Sequence, residues 1–335
     1  MKTIPYLNMQ AEVVIESTGD GAKKELLFNH VSSIEITESL KELSSTATIV
    51  LPRFYQKLEN KSPLEYIKCG DKVWIRFGYK ETQSTGTLEF EGFIKEIGSE
   101  TPLELKCDQL YKLRQKNHSK SFRSVKLREL LNYITQGTFI KKIECPDVNL
   151  GRYEVNNTST YQELVKLKEQ FGFFSRVFDD KLKVGFAYDW NDKSTANHIY
   201  KIQANVRSSD LTYKLTESFN VRYRVNIRNA KDKEAFKEAG STKADATLCT
   251  LEYSVADEAQ AKKVLESKSL ENLSGGYTGN ITGFGFPVTK AGDSLTIIDN
   301  KDPGRNGTYL IEKVVKTYGP GGISRKNELA FKVNY

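Results

Sequence analysis

Long apolar runs are missing from this 335-residue sequence. No stretch approaches the roughly 20 residues that a membrane-spanning helix requires, and the opening MKTIPYLNMQAEVVIES holds no apolar segment of signal-peptide length. Neither stable membrane insertion nor secretion by the usual route is expected. Cysteine and histidine are scarce. Cys69, Cys107, Cys145 and Cys249 stand far apart, without the paired spacing of a zinc site or redox motif, and read as reduced core or strand residues. His30, His118 and His198 fall in no metal-ligand spacing and beside no G-x-S-x-G turn, so each reads as a surface or structural histidine. A strong charge of one sign is absent too. Against 50 basic residues stand 43 acidic ones, and the resulting +7 favours acidic partners only weakly.

The signals of catalysis are equally thin. Asp189 with Asp192, or Glu96 with Glu100, could nominally serve as an acid and base pair, but such pairs arise by chance among 43 acidic residues. GFGFPV lacks the third glycine and helix start of a dinucleotide loop, and GPGG lacks the Gly-Lys-Ser/Thr ending of a P-loop. Both read as turns between strands. The chain is read as no enzyme, with no catalytic residue, metal ligand or cofactor assigned.

What the sequence does contain is β pattern at both ends. AEVVIES, VSSIEITESL, TATIVLP, KVWIRFGY, LEFEGFIKEI and LELKCDQL follow one another at short intervals, a spacing that predicts a barrel or sandwich over residues 1–110. Residues 111–199 read as a small α/β unit. Leu127, Leu130, Leu131 and Ile134 form the stripe of one helix, with Ser124 near its start and Gly137 beyond its end. A second helix has Thr160 and Glu163 at capping-box spacing, Tyr161, Leu164, Val165 and Phe171 as its buried stripe and Gly172 as its stop. A hairpin follows, with Asp179 and Asp180 near its turn. Residues 200–335 return to β, interrupted by a helix near 257–271 with Ala261, Val264 and Leu265 as its apolar side.

One device occurs twice. GDKVWIRF begins at Gly70 and Asp71, and GDSLTIID begins at Gly292 and Asp293; each leaves a turn as an alternating strand, and each is followed by another glycine, Gly92 or Gly307, opening a further apolar segment. The order of turn, strand, glycine and strand suggests two related β-modules. Two cationic features accompany them. KNHSKSFRSVKLR, from Lys116 to Arg128, could line a nucleic-acid groove or be a solvated loop leading into the first helix, and the loop is favoured. In FNVRYRVNIRN, Phe219, Val221, Tyr223, Val225 and Ile227 make an apolar face, while Arg222, Arg224 and Arg228 lie on the other. That stripe could meet a lumen, a phosphate backbone or an acidic neighbour, or be an ordinary solvated face.

Taken in order, EGFIKEIGSETPLELKCDQLYKLRQ, YEVNNTSTYQELVKLKEQFGFFSRVFDDKLKVGFAY, IYKIQANVRSSDLTYK and TGFGFPVTKAGDSLTIIDNKDPGRNGTYLIEKVVKTYGPGGISRKNEL resemble the phage tail baseplate hub family, the late control D proteins, related in fold to the hub part of the type VI secretion spike. The resemblance implies a mainly β chain with an α+β insertion: two similar tube-type β-barrels flanking a small peripheral α/β domain. It further implies a homotrimeric ring adapting a hexameric tail tube to a central spike. The partners would be the tube protein, the spike and other baseplate proteins, with DNA only as transported cargo. The location would be a virion tail baseplate or tail-like particle assembled in the bacterial cytoplasm. The chain's end in the second barrel leads us to expect puncture and wall digestion from separate partners. A basic nucleic-acid-binding β-protein and a cell-wall hydrolase are the alternatives. Salt dependence tests the first, and turbidity loss on purified peptidoglycan tests the second.

Overall fold

A computed structural model describes residues 8–18, 24–52, 65–82, 86–99, 102–178, 180–186, 196–214, 220–227, 235–255, 258, 261–266 and 276–333. The chain opens with β1 (Met9–Ser17), β2 (Lys24–Phe28), β3 (Ser33–Ser39), β4 (Thr46–Leu51), β5 (Lys72–Tyr79), β6 (Leu88–Ile97) and β7 (Leu103–Asp108). The middle supplies β8 (Asn117–Lys126), α1 (Leu127–Ile134), β9 (Lys142–Glu144), β10 (Val148–Ser159), α2 (Thr160–Phe171), β11 (Phe174–Phe178) and β12 (Lys181–Gly185). Then come β13 (Asn197–Lys201), β14 (Val206–Lys214), β15 (Val221–Ile227), β16 (Ala235–Gly240), β17 (Thr247–Val255), β18 (Gly276–Phe284), β19 (Ser294–Ile298), β20 (Gly307–Gly319) and β21 (Gly322–Lys332). The mainly β class and the α+β insertion are as the sequence implies.

The chain forms two compact units, but not with the expected boundaries. The first joins residues 1–112, 196–212 and 278–335; the second joins 113–195 and 213–277. Residues 213–277 therefore belong with the α/β insertion rather than with the C-terminal β-module, and the divisions at 110/111 and 199/200 are corrected accordingly. The reason is backbone pairing: β15 and β17 run parallel to each other, and β17 meets β10 through Val148↔Val255 and Asn149↔Ser254. Local alternation cannot reveal which sheet a strand will join.

In the first unit the sheet order is β14-β18-β21-β20-β3-β4-β7-β6-β5-β1-β2, with β19 also on β20 and β13 on β19. Two modules are visible in it. The first runs β3-β4-β7-β6-β5-β1; the second runs β14-β18-β21-β20-β19-β13, so each of these six strands has a counterpart at the same place, and β2, on β1, is the one strand of the sheet without one among the described residues. One polarity differs, since β1 is antiparallel to β5 whereas β13 is parallel to β19. The first module's core follows strand alternation: Ala11, Val13 and Ile15 of β1 and Val73, Ile75 and Phe77 of β5 are all buried.

The second unit holds a five-stranded sheet, β16-β15-β17-β10-β8, and a three-stranded one, β11-β12-β9. α1 buries Leu127, Leu130, Leu131 and Ile134 as its spacing predicts. In α2 the cap lies one residue earlier than expected. Ser159 is the N-cap and pairs reciprocally with Gln162, while Thr160 and Glu163 are buried, and Gly172 ends the helix at φ 69°. Leu164 is buried, but Tyr161, Val165 and Phe171 are only half-buried. β11 and β12 pair antiparallel as the expected hairpin; of its two turn aspartates, Asp179 lies outside the described residues. The basic stretch at 117–126 is a strand, β8, rather than a loop. Of the expected helix near 257–271, the described residues 258 and 261–266 are helical, with Ala261, Val264 and Leu265 buried.

Candidate assembly sites

The repeated Gly-Asp pair builds the same turn in both modules. Gly70 and Gly292 have φ of 95° and 97°, a region in which a Cβ is strained. The Gly70 amide donates to the Ile94 carbonyl at 2.8 Å and the Ile94 amide to the Asp71 carbonyl at 2.9 Å; Gly292, Ile311 and Asp293 repeat this at 2.9 and 2.9 Å. Each aspartate also caps its turn, Asp71 accepting from the Lys68 amide at 2.8 Å and Asp293 from the Lys290 amide at 2.9 Å. Their remaining partners differ. Thr18 donates to Asp71 through its amide at 3.1 Å and its hydroxyl at 2.6 Å. His198 sits 2.8 Å from Asp293 through Nε2.

The likeness extends past the motif to a β-bulge. Pairing of β6 with β7 shifts between Ile94 and Glu96, and pairing of β20 with β21 shifts between Ile311 and Lys313. Counting back from these bulges, Gly92 matches Tyr309 and Gly307 matches Phe90, because Val73 pairs with Gly92 and Leu295 with Tyr309. The two glycines read from the sequence as equivalent are therefore offset by two positions, and each serves a local need. A Cβ on Gly92 would meet the Phe90 ring at 2.6 Å, and one on Gly307 would meet the Lys332 side chain at 2.8 Å.

The modules are joined where β3 lies antiparallel to β20, from Ser39↔Lys313 to Ile34↔Tyr318. Beside this seam is a buried ion network absent from the sequence reading. Lys316 and Arg325 are paired directly across β20 and β21, two like charges that would repel. Glu89 of β6 separates them. Its carboxylate accepts from Arg325 Nη1 at 3.1 Å and Nη2 at 2.5 Å, and lies 3.2 Å from Lys316 Nζ. Lys316 also reaches Glu38 of β3 at 3.0 Å, and Arg325 Nε donates to the Gly285 carbonyl at 3.0 Å. The side chains of Glu89, Lys316 and Arg325 are 0–1% exposed. Burial pushes the Glu89 pKa up, but the Arg325 hydrogen bonds and the Lys316 charge outweigh it and hold the carboxyl below its usual range. The first module thus supplies both carboxylates and the second both cations. A sequence signal existed: Lys316 occupies an inward position of apolar alternation between Val314 and Tyr318, and Arg325, with Asn327, occupies inward positions between Ile323 and Leu329.

No family model matches the chain, and no curated protein matches it by sequence. Solved structures do. A tail protein from Neisseria meningitidis MC58 aligns with a TM-score of 0.61 at 14% identity, covering 97% of this chain and 96% of its own. The 43 kDa tail protein of prophage MuSo2 from Shewanella oneidensis gives 0.61 at 13% identity, covering 96% and 98%. An E. coli component of the type VI secretion system, described as structurally similar to the T4 tail proteins gp27 and gp5, gives 0.55 at 8% identity over 91% and 74%. The chain has the fold of these tail proteins.

Within that tail-protein fold Arg222, Arg224 and Glu96, the remaining charged candidates among the described residues, have local partners. Arg222 donates from Nε to the Ser241 carbonyl at 2.9 Å and from Nη2 to the Lys243 carbonyl at 3.0 Å, pinning the turn after β16. Arg224 bonds Glu238 through Nε at 2.7 Å and lies 4.2 Å over the Phe236 ring. Among the described residues the one carboxylate facing these two guanidiniums is Glu238, 2.6 Å from Arg224 and 3.8 Å from Arg222, so the stripe's charge is only partly offset by the neighbour strand, while Arg228 and Phe219 lie outside the described residues. On the apolar face Val225 and Ile227 are buried, but Val221 and Tyr223 only half-buried. Glu96 is exposed and paired with Lys95 and Lys106, whose bonds hold its pKa down. Glu100, Asp189 and Asp192 lie outside the described residues. Among the described residues no three histidine, cysteine, aspartate or glutamate side chains gather as a metal-holding cluster, and Cys69, Cys107, Cys145 and Cys249 are free.

Proposed function

We propose that the protein is the baseplate hub of a phage tail or tail-like injection device. Three copies form a ring, and the ring adapts a hexameric tail tube above to a central spike below. The observation that carries this is the duplicated module: one chain presents two β-modules with the same strand order, turn and bulge, so three chains present six equivalent positions to a sixfold tube. The tail proteins of the same fold support the setting. The partners are other copies of the chain, the tube protein, the spike and neighbouring baseplate proteins, with DNA only as passing cargo. The role is structural rather than enzymatic, and its affinity comes from buried, complementary interfaces.

Arg222, Arg224 and Arg228 enter this reading as candidate interface or lumen-facing residues, the first two already bonded within their sheet. Those bonds also weaken the nucleic-acid reading, because a guanidinium held by Glu238 or by two carbonyls has less to offer a phosphate. The experiment is a count of copies in the assembled particle by cryo-electron microscopy. Three copies in C3 arrangement at the tube–spike junction are expected; two or six copies, or a position elsewhere, would overturn the hub.

A further inference from the structure

We propose that the outer edge of β14 pairs antiparallel with residues 95–99 of a second copy of the chain, repeating between copies the joint that β3 and β20 make within one. The proposal rests on the ring reading above and adds the residues at which its copies meet.

β3 and β14 are counterparts, each the end strand of its module. The outer edge of β3 is covered by β20, and β3 buries Ile34, Ile36 and Ser39. Among the described residues β14 pairs with β18 alone, and no residue from Val206 to Thr212 is buried. A strand with one edge open and no buried residue on either face is a template for another strand. The acceptor is also duplicated. β20 receives β3 just beyond its bulge, where the Leu40 amide donates to the Glu312 carbonyl at 2.8 Å. In β6 the same bulge is followed by Lys95, Glu96, Ile97, Gly98 and Ser99, none of them buried. The Gly98 amide bonds the Glu104 carbonyl at 2.7 Å on the β7 side, so backbone pairing continues one residue past the end of β6 at Ile97, while the other edge of residues 95–99 carries no strand among the described residues.

The duplication fixes a register. The Asn280 amide donates to the Asp210 carboxylate at 2.5 Å and the Thr278 hydroxyl to the Thr212 carbonyl at 3.4 Å, which sets Leu211 across from Gly279. Gly279 pairs with Leu329 as Ala47 pairs with Cys107, so Leu211 is the counterpart of Ile36. Ile36 lies opposite Lys316, which stands as far beyond Ile311 as Ser99 stands beyond Ile94. Leu211 of one copy should therefore face Ser99 of the next. Such a contact is head-to-tail, and it closes into a ring when the rotation per copy divides a full turn.

The test is Leu211→Cys combined with Ser99→Cys in a chain whose exposed Cys69 and Cys249 are replaced by serine. Facing residues of antiparallel strands have Cα atoms about 4.5–5.5 Å apart, within the span of a disulfide. Mild oxidation should convert the double variant to covalent dimers and trimers and leave each single variant monomeric on a denaturing gel. In the unaltered chain, amides of residues 207–212 should gain exchange protection on assembly. A native mass of three copies without cross-linking or protection would refute the joint and leave the ring standing. Dimers from Leu211→Cys alone would overturn it in favour of β14 edges pairing with each other. A chain that stays monomeric at every concentration and in the particle would overturn the ring, and this joint with it.

Discussion

Glu89→Gln tests the view that a buried charge network holds the two modules together. The substitution leaves Lys316 and Arg325, both 1% exposed, with Glu38 as the one remaining carboxylate of the network, and Glu38 is itself 16% exposed. Removing one partner of a buried ion pair costs about 3–5 kcal/mol, because the remaining charge is desolvated without compensation. With a urea dependence of about 2 kcal/mol per molar, the midpoint should fall by about 2 M. Fluorescence of Trp74, on β5, reports the first unit in a chain carrying Trp190→Phe. The pH dependence has a defined sign. Because the folded pKa of Glu89 is depressed, its stabilisation is complete above the ordinary carboxylate range and is lost as pH falls through the lower folded value. The gap between wild type and Glu89→Gln should accordingly narrow below about pH 4. Adding Lys316→Met and Arg325→Met to Glu89→Leu should recover much of the loss, since the charges then leave the core together. A loss below about 1 kcal/mol, the scale of an exposed ion pair, would refute the reasoning, as would strict additivity of the three changes.

Gly70→Ala and Gly292→Ala should each destabilise the first unit by about 1–2 kcal/mol from positive-φ strain, and by similar amounts, as read from urea midpoints. Asp71→Ala leaves the amides of Thr18 and Lys68 without their acceptor and should cost about 1–3 kcal/mol in the same assay. Val225→Asp should abolish soluble expression because Val225 is fully buried, whereas Val221→Asp should be milder and Arg222→Ser should fold; equal tolerance of all three would show the β15 faces to be misassigned. Ser159→Ala should lower the stability of the second unit by about 0.5–2 kcal/mol through loss of the α2 cap, measurable by helical circular dichroism on heating.

Local chemistry determined much of this protein before any folding is considered. The Gly-Asp turns at 70 and 292 are legible because a left-handed residue followed by a capping aspartate has few alternatives in sequence. The α1 stripe and the Gly172 stop are legible because helical periodicity and the αL cap act within a few residues. Tertiary structure alone decided which sheet each strand joins. β15 carries the same alternation whether it belongs to the C-terminal module or, as it does, to the sheet of β17 and β10, since backbone pairing is indifferent to sequence distance. The Glu89, Lys316 and Arg325 network was hidden for the same reason. Each charge looks like a lapse in its own strand's pattern; Lys316 and Arg325 face each other across one hairpin, and only the arrival of β6, whose Glu89 is 236 residues from Arg325, turns three lapses into a bonded network inside the core.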